Sequence, residues 1–172
     1  LLALGVLLFT SNSEKLPLAS IGWKRLSWKE ILSAVGIGIL LSLLVPLLTL
    51  LTSKIIPSSG EGTIAAVTTN FPWWILLLST ITAGVTEEIL FRGYPLERLL
   101  AYTGNKWLSG LISLVFFVAV HAASWNFAHI IGVVIPLGVF LTGLYFWKRN
   151  LLFVMIIHTV IDLPLVFMAF FA

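Results

Sequence analysis

No cysteine occurs among the 172 residues, which excludes disulfides, a thiol nucleophile and any cysteine-ligated metal. Charge is nearly as scarce. Asp, Glu, Lys and Arg make up 10% of the chain against 59% apolar residues, and the mean hydropathy is +1.09. A soluble domain needs a charged surface to face water, so this composition excludes one and points to lipid as the solvent. Low-complexity segments and an internal repeat of fixed period are also lacking. The net charge of +3 reads as orientation in a bilayer rather than as affinity for nucleic acid, and no nucleic-acid partner is expected.

What is there is apolar length. Uncharged runs extend from Ile31 to Ser53, from Gly62 to Thr86 and from Trp107 to Trp147, while Asn150 to Ala172 carries one acid, Asp162. A membrane helix needs roughly 20 apolar residues, so each run spans, and Trp107 to Trp147 has length for two crossings. The expected fold is all-α: a polytopic transmembrane helix bundle of five full spans, with residues 1–172 forming a single integral membrane domain. Leu1 to Phe9 is too short to span and the chain opens on Leu, so this piece reads as the truncated remnant of a further N-terminal helix. A signal-peptide core is the weaker alternative, because no basic leader precedes it.

Basic residues orient the bundle. Thr10 to Glu30 carries Lys15, Lys24, Arg25 and Lys29 with Trp23 and Trp28, the composition of a cytoplasmic interfacial loop. Alternating spans then put Lys54 to Phe71 outside, Arg98 and Lys106 inside, Ser124 to Asn126 outside, and Lys148 and Arg149 inside. With Arg92 placed in the membrane, Lys54 is the one basic residue of ten left on the outer side. Gly36, Gly38, Gly132, Gly138 and Gly143 fall within spans and read as points of close helix approach.

Ionisable groups inside spans cost several kcal/mol and are functional candidates by default. The set is Glu87, Glu88 and Arg92 on one helix, His121 on the next, and His158 with Asp162 on the last. Glu88 and Arg92 stand at i and i+4 with the acid first, so they can neutralise one another. Glu87 points about 100° away from Glu88, has no local base, and is free to act as a general base. A turn near Thr103-Gly104-Asn105 would place Glu87 and His121 at similar depth on antiparallel helices, with a break or kink expected at Gly93 and Pro95. His158 and Asp162, again i and i+4, face one way and can converge on the same cavity. The competing reading is a buried charge network holding helices in register, but that would not leave Glu87 unpaired. Phe117, one turn before His121, reads as an aromatic that fixes the imidazole. His129 has no motif around it and reads as an interhelical hydrogen-bonding residue.

These residues, Glu-Glu-x-x-x-Arg at 87–92, Phe-x-x-x-His at 117–121 and His-x-x-x-Asp at 158–162, resemble in order the three motifs of the CPBP intramembrane proteases. That group includes the type II CAAX prenyl endopeptidases and bacterial bacteriocin-processing, immunity and Abi relatives. The resemblance covers about Trp73 to Leu163. It implies that Glu87 and His121 activate water, that His158 and Asp162 stabilise the oxyanion, and that Glu88 and Arg92 support the site. Asn is the more familiar residue at position 162. An ionised Asp cannot donate to an oxyanion, so Asp162 acts as a neutral donor, orients His158, or ligates a metal.

The resulting expectation is an endopeptidase without cofactor that hydrolyses membrane-associated peptides or proteins, located in the bacterial plasma membrane. One alternative is a zinc metalloprotease in which Glu87, His121, His158 and Asp162 hold the ion. Against it, the residues are scattered over three helices and the His-Glu-x-x-His helix is missing. Another is a catalytically silent immunity or partner-binding membrane protein. A proton-coupled transporter would show paired inverted repeats, which are not evident.

Overall fold

In the computed structural model, which describes residues 1–57 and 60–171, the apolar runs are helical. They form α1 (Leu2–Ser13), α2 (Trp28–Ser53), α3 (Ile64–Asn70), α4 (Trp73–Thr103), α5 (Lys106–His121), α6 (Phe127–Lys148) and α7 (Leu151–Phe171). No strand occurs among the described residues. Helix starts follow local capping chemistry. Ser27 accepts from the Glu30 N–H while the Glu30 carboxylate accepts from the Ser27 N–H, Thr63 caps α3, Asn105 caps α5 and Asn126 caps α6. Gly104, with φ +62°, ends α4 in the left-handed conformation that glycine adopts without strain. The hairpin turn therefore falls where the sequence places it.

Helices α2, α4, α6 and α7 are long and apolar enough to cross a membrane. The Trp107 to Trp147 run does fold into two helices around a turn at 122–126, but the first of them, α5, has 16 residues and so reaches only about 24 Å. The hydrocarbon core is ~30 Å thick. Full spanning length is thus shown for four of the five expected spans.

The break or kink expected at Gly93 and Pro95 takes the form of a local distortion inside a continuous helix. The helix continues through a π-helical stretch, Glu88–Gly93, before Pro95. Proline has no N–H to give the preceding turn and its ring crowds that turn's carbonyl, so a wider turn relieves the clash. The Phe91 carbonyl is satisfied instead by the Ser113 hydroxyl of α5, which donates to it at 2.6 Å. Helix α6 repeats the device, with a π stretch at Ile130–Val134 just ahead of Pro136.

Helix α7 is the centre of the bundle, packed along α2 and α4. Small residues set the spacing. A Cβ on Gly38 would lie 2.7 Å from Val160 Cβ, one on Gly84 would collide with Thr159, and one on Gly132 with Thr52. Gly138 is likewise closed off by Leu114 and Phe117. Gly36 and Gly143 face open space, so they are not packing points, whereas Gly84 is one that the sequence reading passes over.

The end of the bundle carrying the basic loops is tied together by polar contacts. Leu151 N donates to Gly22 O at 2.7 Å. Glu97 accepts from Tyr145 OH at 2.5 Å and from Arg149 at 2.6 Å. Glu14, at the end of α1, accepts from Arg98 and from Tyr94 OH, and the Arg98 hydrogen bond holds its carboxyl below the usual carboxylate range.

Candidate active site

Helix α4 brings two adjacent glutamates to the bundle centre and turns them to different surroundings. Glu88 and Arg92 have no exposed side-chain surface and pair at 2.8 Å. Glu87 and His121 retain 26% and 15% exposure, because they face a cavity of about 850 Å³ that His158 and Asp162 also line. The four residues assigned to chemistry therefore meet at one space, and the assigned support pair lies behind it.

Glu87 Oε2 is buried without a hydrogen-bond partner and lies 3.5 Å from His121 Nε2. That separation exceeds a good N–H···O bond, so the two groups are neighbours with a gap between them. His121 Nδ1 is 2.8 Å from Phe117 O. A carbonyl only accepts, so Nδ1 carries the proton and Nε2 is the nitrogen presented to Glu87. Phe117 fixes the imidazole from its face as well, with ring centroids 4.2 Å apart. The Phe117 ring also lies against the Arg92 guanidinium, 4.1 Å from its centroid. One aromatic thus couples the buried ion pair to the cavity histidine.

Glu88 does more than neutralise Arg92. The same oxygen, Oε1, accepts from His158 Nδ1 at 2.7 Å, leaving Nε2 to face the cavity with Asp162 Oδ2 3.6 Å away. Three carboxyl groups and one permanent cation share this centre. Neutrality there requires protons held by the histidines or the carboxyls. Sequence reasoning missed the Glu88–His158 contact because α4 and α7 are not chain neighbours, and turn arithmetic ranks depth only across a hairpin.

His129 also lines the cavity, but not as an interhelical hydrogen-bonding residue. Its ring stacks on Trp125 of the preceding turn, centroids 4.0 Å apart at 21°, and no side-chain hydrogen bond of its ring is formed among the described residues. No three His, Asp or Glu side chains among the described residues are grouped to hold a metal ion. Both Nδ1 atoms are engaged, by Phe117 O and Glu88, which leaves the two Nε2 atoms to the cavity.

Residues 69–164 match the family described as type II CAAX prenyl endopeptidase Rce1-like. No curated protein and no solved structure matches the chain. The matched stretch runs from just before α4 to the second turn beyond His158, and so takes in every residue of the centre described above. With more than half of its length inside that match, this integral membrane chain belongs to the Rce1-like family of type II CAAX prenyl endopeptidases.

Proposed function

We propose that the protein is an intramembrane endopeptidase that hydrolyses membrane-associated peptides or proteins with a water activated by Glu87 and His121. The observation that carries this reading is the unpartnered Glu87 Oε2, facing His121 Nε2 across 3.5 Å at a cavity large enough for several residues of peptide. Water held between these groups gives a proton to Glu87 as its oxygen attacks the scissile carbonyl carbon. The proton then passes to the leaving amine nitrogen, the C–N bond breaks, and a carboxyl and an amine terminus result. His121, with its proton on Nδ1, accepts a hydrogen bond from the water at Nε2 and so orients it toward the carbonyl.

The oxyanion is assigned to His158. With Nδ1–H given to Glu88, donation from Nε2 requires the ring to carry a proton on both nitrogens. Asp162 completes that side as a neutral donor or as the partner that orients His158. Glu88 and Arg92 are positioning residues. The chemistry is assigned without a metal.

The test is comparative peptidomics of membranes carrying wild type or Glu87→Gln. Peptides generated by the wild type alone, together with accumulation of their precursors in Glu87→Gln, are the expected result. Indistinguishable peptide sets at equal amounts of folded protein would leave the silent partner-binding reading in its place.

A further inference from the structure

Three histidines line the cavity, His121, His129 and His158, and two of them are anchored in the same way. His121 gives Nδ1–H to Phe117 O and His158 gives Nδ1–H to Glu88 Oε1, so each uses one ring nitrogen for its own placement. His129 is placed by its face instead. Its half-buried ring lies flat on the Trp125 indole, centroids 4.0 Å apart at 21°, and both ring nitrogens are without a hydrogen bond among the described residues. The backbone beneath is fixed as well. His129 N donates to Asn126 Oδ1 at 2.9 Å, Asn126 N to Gly62 O at 3.1 Å, and Trp125 N to His121 O at 2.9 Å. His121, Trp125 and His129 therefore follow one another along the cavity wall, with the unengaged imidazole next in line after the histidine assigned to the water.

A neutral imidazole carries one N–H donor and one lone pair, and leaving them unmet inside a membrane protein is costly. The cavity wall around His129 is largely apolar, with Val45, Val67, Val133 and Leu165 among the side chains lining it. A peptide whose scissile bond is open to attack has left helical geometry around that bond. Its neighbouring main-chain N–H and C=O groups then need partners that lipid and these apolar side chains do not provide. An imidazole meets either kind of group, since it donates from one nitrogen and accepts at the other.

We propose that His129 is a substrate-binding residue, its free ring edge hydrogen-bonding the peptide main chain close to the scissile bond while Trp125 holds the ring in place. This deepens the endopeptidase reading and rests on it. Recognition of main chain rather than side chain makes the contact independent of the substrate's sequence. A ring already held by stacking loses little freedom when the peptide arrives, which makes Trp125 the positioning residue for His129.

The test uses the full chain in detergent with a quenched-fluorescent peptide spanning a cut site from the peptidomic comparison. His129→Phe keeps the stacked face and removes both nitrogens. Expected is a rise in KM of about two- to ten-fold, the worth of one hydrogen bond, with kcat near wild type because the contact holds substrate and transition state alike. The same fold-change is expected in peptide affinity, read by fluorescence anisotropy in the Glu87→Gln background where no turnover occurs. His129→Gln retains a donor and an acceptor and should recover part of the loss, whereas Trp125→Leu should reproduce it. Main-chain recognition is read from peptides in which each amide flanking the cut is replaced in turn by an ester, which removes an N–H and weakens a C=O. One such position should weaken binding to the protein with His129 and not to His129→Phe. Equal sensitivity of both proteins at every position would overturn the proposal, as would a fall in kcat at unchanged KM. His129→Leu replaces His129→Phe if that variant does not fold. Cleavage with KM unmoved in these variants counts against His129 alone, while absence of any cleavage in the peptidomic comparison removes the endopeptidase reading and this proposal with it.

Discussion

Glu87 and Glu88 are adjacent, identical in chemistry and different in consequence. Glu88 is fully buried with its Oε1 bonded to both Arg92 and His158, whereas Glu87 makes no side-chain hydrogen bond among the described residues and lines the cavity. Glu87→Gln preserves shape and removes the base, so peptide cleavage is expected to fall by at least ~10²-fold with detergent stability near wild type. Arg92→Gln leaves Glu88 buried without its cation and is expected to lower stability by about 3–5 kcal/mol. Unfolding curves and cleavage rates for both variants check the division, and an unstable Glu87→Gln beside a stable Arg92→Gln would reverse it. Asp162 decides the chemistry at the other side of the cavity. If it donates as a neutral group, Asp162→Asn keeps a donor in place and retains activity over pH 5 to 9. If it ligates zinc, the same change lowers activity, added Zn²⁺ restores it, and chelators silence the wild type. Cleavage of a quenched-fluorescent peptide with and without chelator, alongside metal analysis, separates these outcomes. The individual candidates were legible because ionisable residues are rare in this chain. The pairing of Glu88 with His158 was not, since nothing in the spacing of two non-adjacent helices states which faces meet.

At the level of elements, the site depends on how closely α4 can approach α7. Gly84 lies one turn before Glu87 and Glu88, and a Cβ there would meet the Thr159 side chain and come within 3.1 Å of the Thr159 backbone nitrogen. Backbone cannot yield as a side-chain tip can. Gly84→Val is therefore expected to push α4 outward, cost about 1–3 kcal/mol, and lengthen the Glu88–His158 contact, so activity should fall further than stability explains. Gly36→Val on α2, where nothing lies within 4 Å, is the matched control and should change neither. Detergent melting curves and turnover at a temperature where both variants are folded provide the measurement. Turn residues such as Gly104 and Asn105 made the α4–α5 hairpin readable in advance, and with it the shared depth of Glu87 and His121. The π stretches were not readable. Proline in a helical run announces a local disturbance, and only the packing of Ser113 against Phe91 O decides that the helix widens rather than breaks.

For the molecule as a whole, α1 is held to the bundle through Glu14, whose carboxyl accepts from Arg98 and Tyr94. Its folded-state pKa lies below the value of 4.5 for a free carboxyl, so the contact contributes fully above that pH and is lost as pH falls through the lower folded value. Acidification in that window is expected to release α1, seen as faster proteolysis between α1 and α2. Glu14→Gln should show the faster rate at neutral pH and little further change in acid, whereas an unchanged rate in that variant would remove Glu14 from the role. The all-helical architecture followed from apolar run length, but run length does not say how two helices divide one run, which is how α5 emerged shorter than its neighbours. That short helix couples the bundle to the surrounding lipid. Where a 24 Å element meets a ~30 Å slab, acyl chains must compress beside it, at fractions of a kcal/mol per Å. Lipids with shorter chains relieve that elastic load and longer ones add to it, so bilayer thickness sets how far the 122–126 turn sits from the membrane surface, and thin membranes are where this protein is at ease.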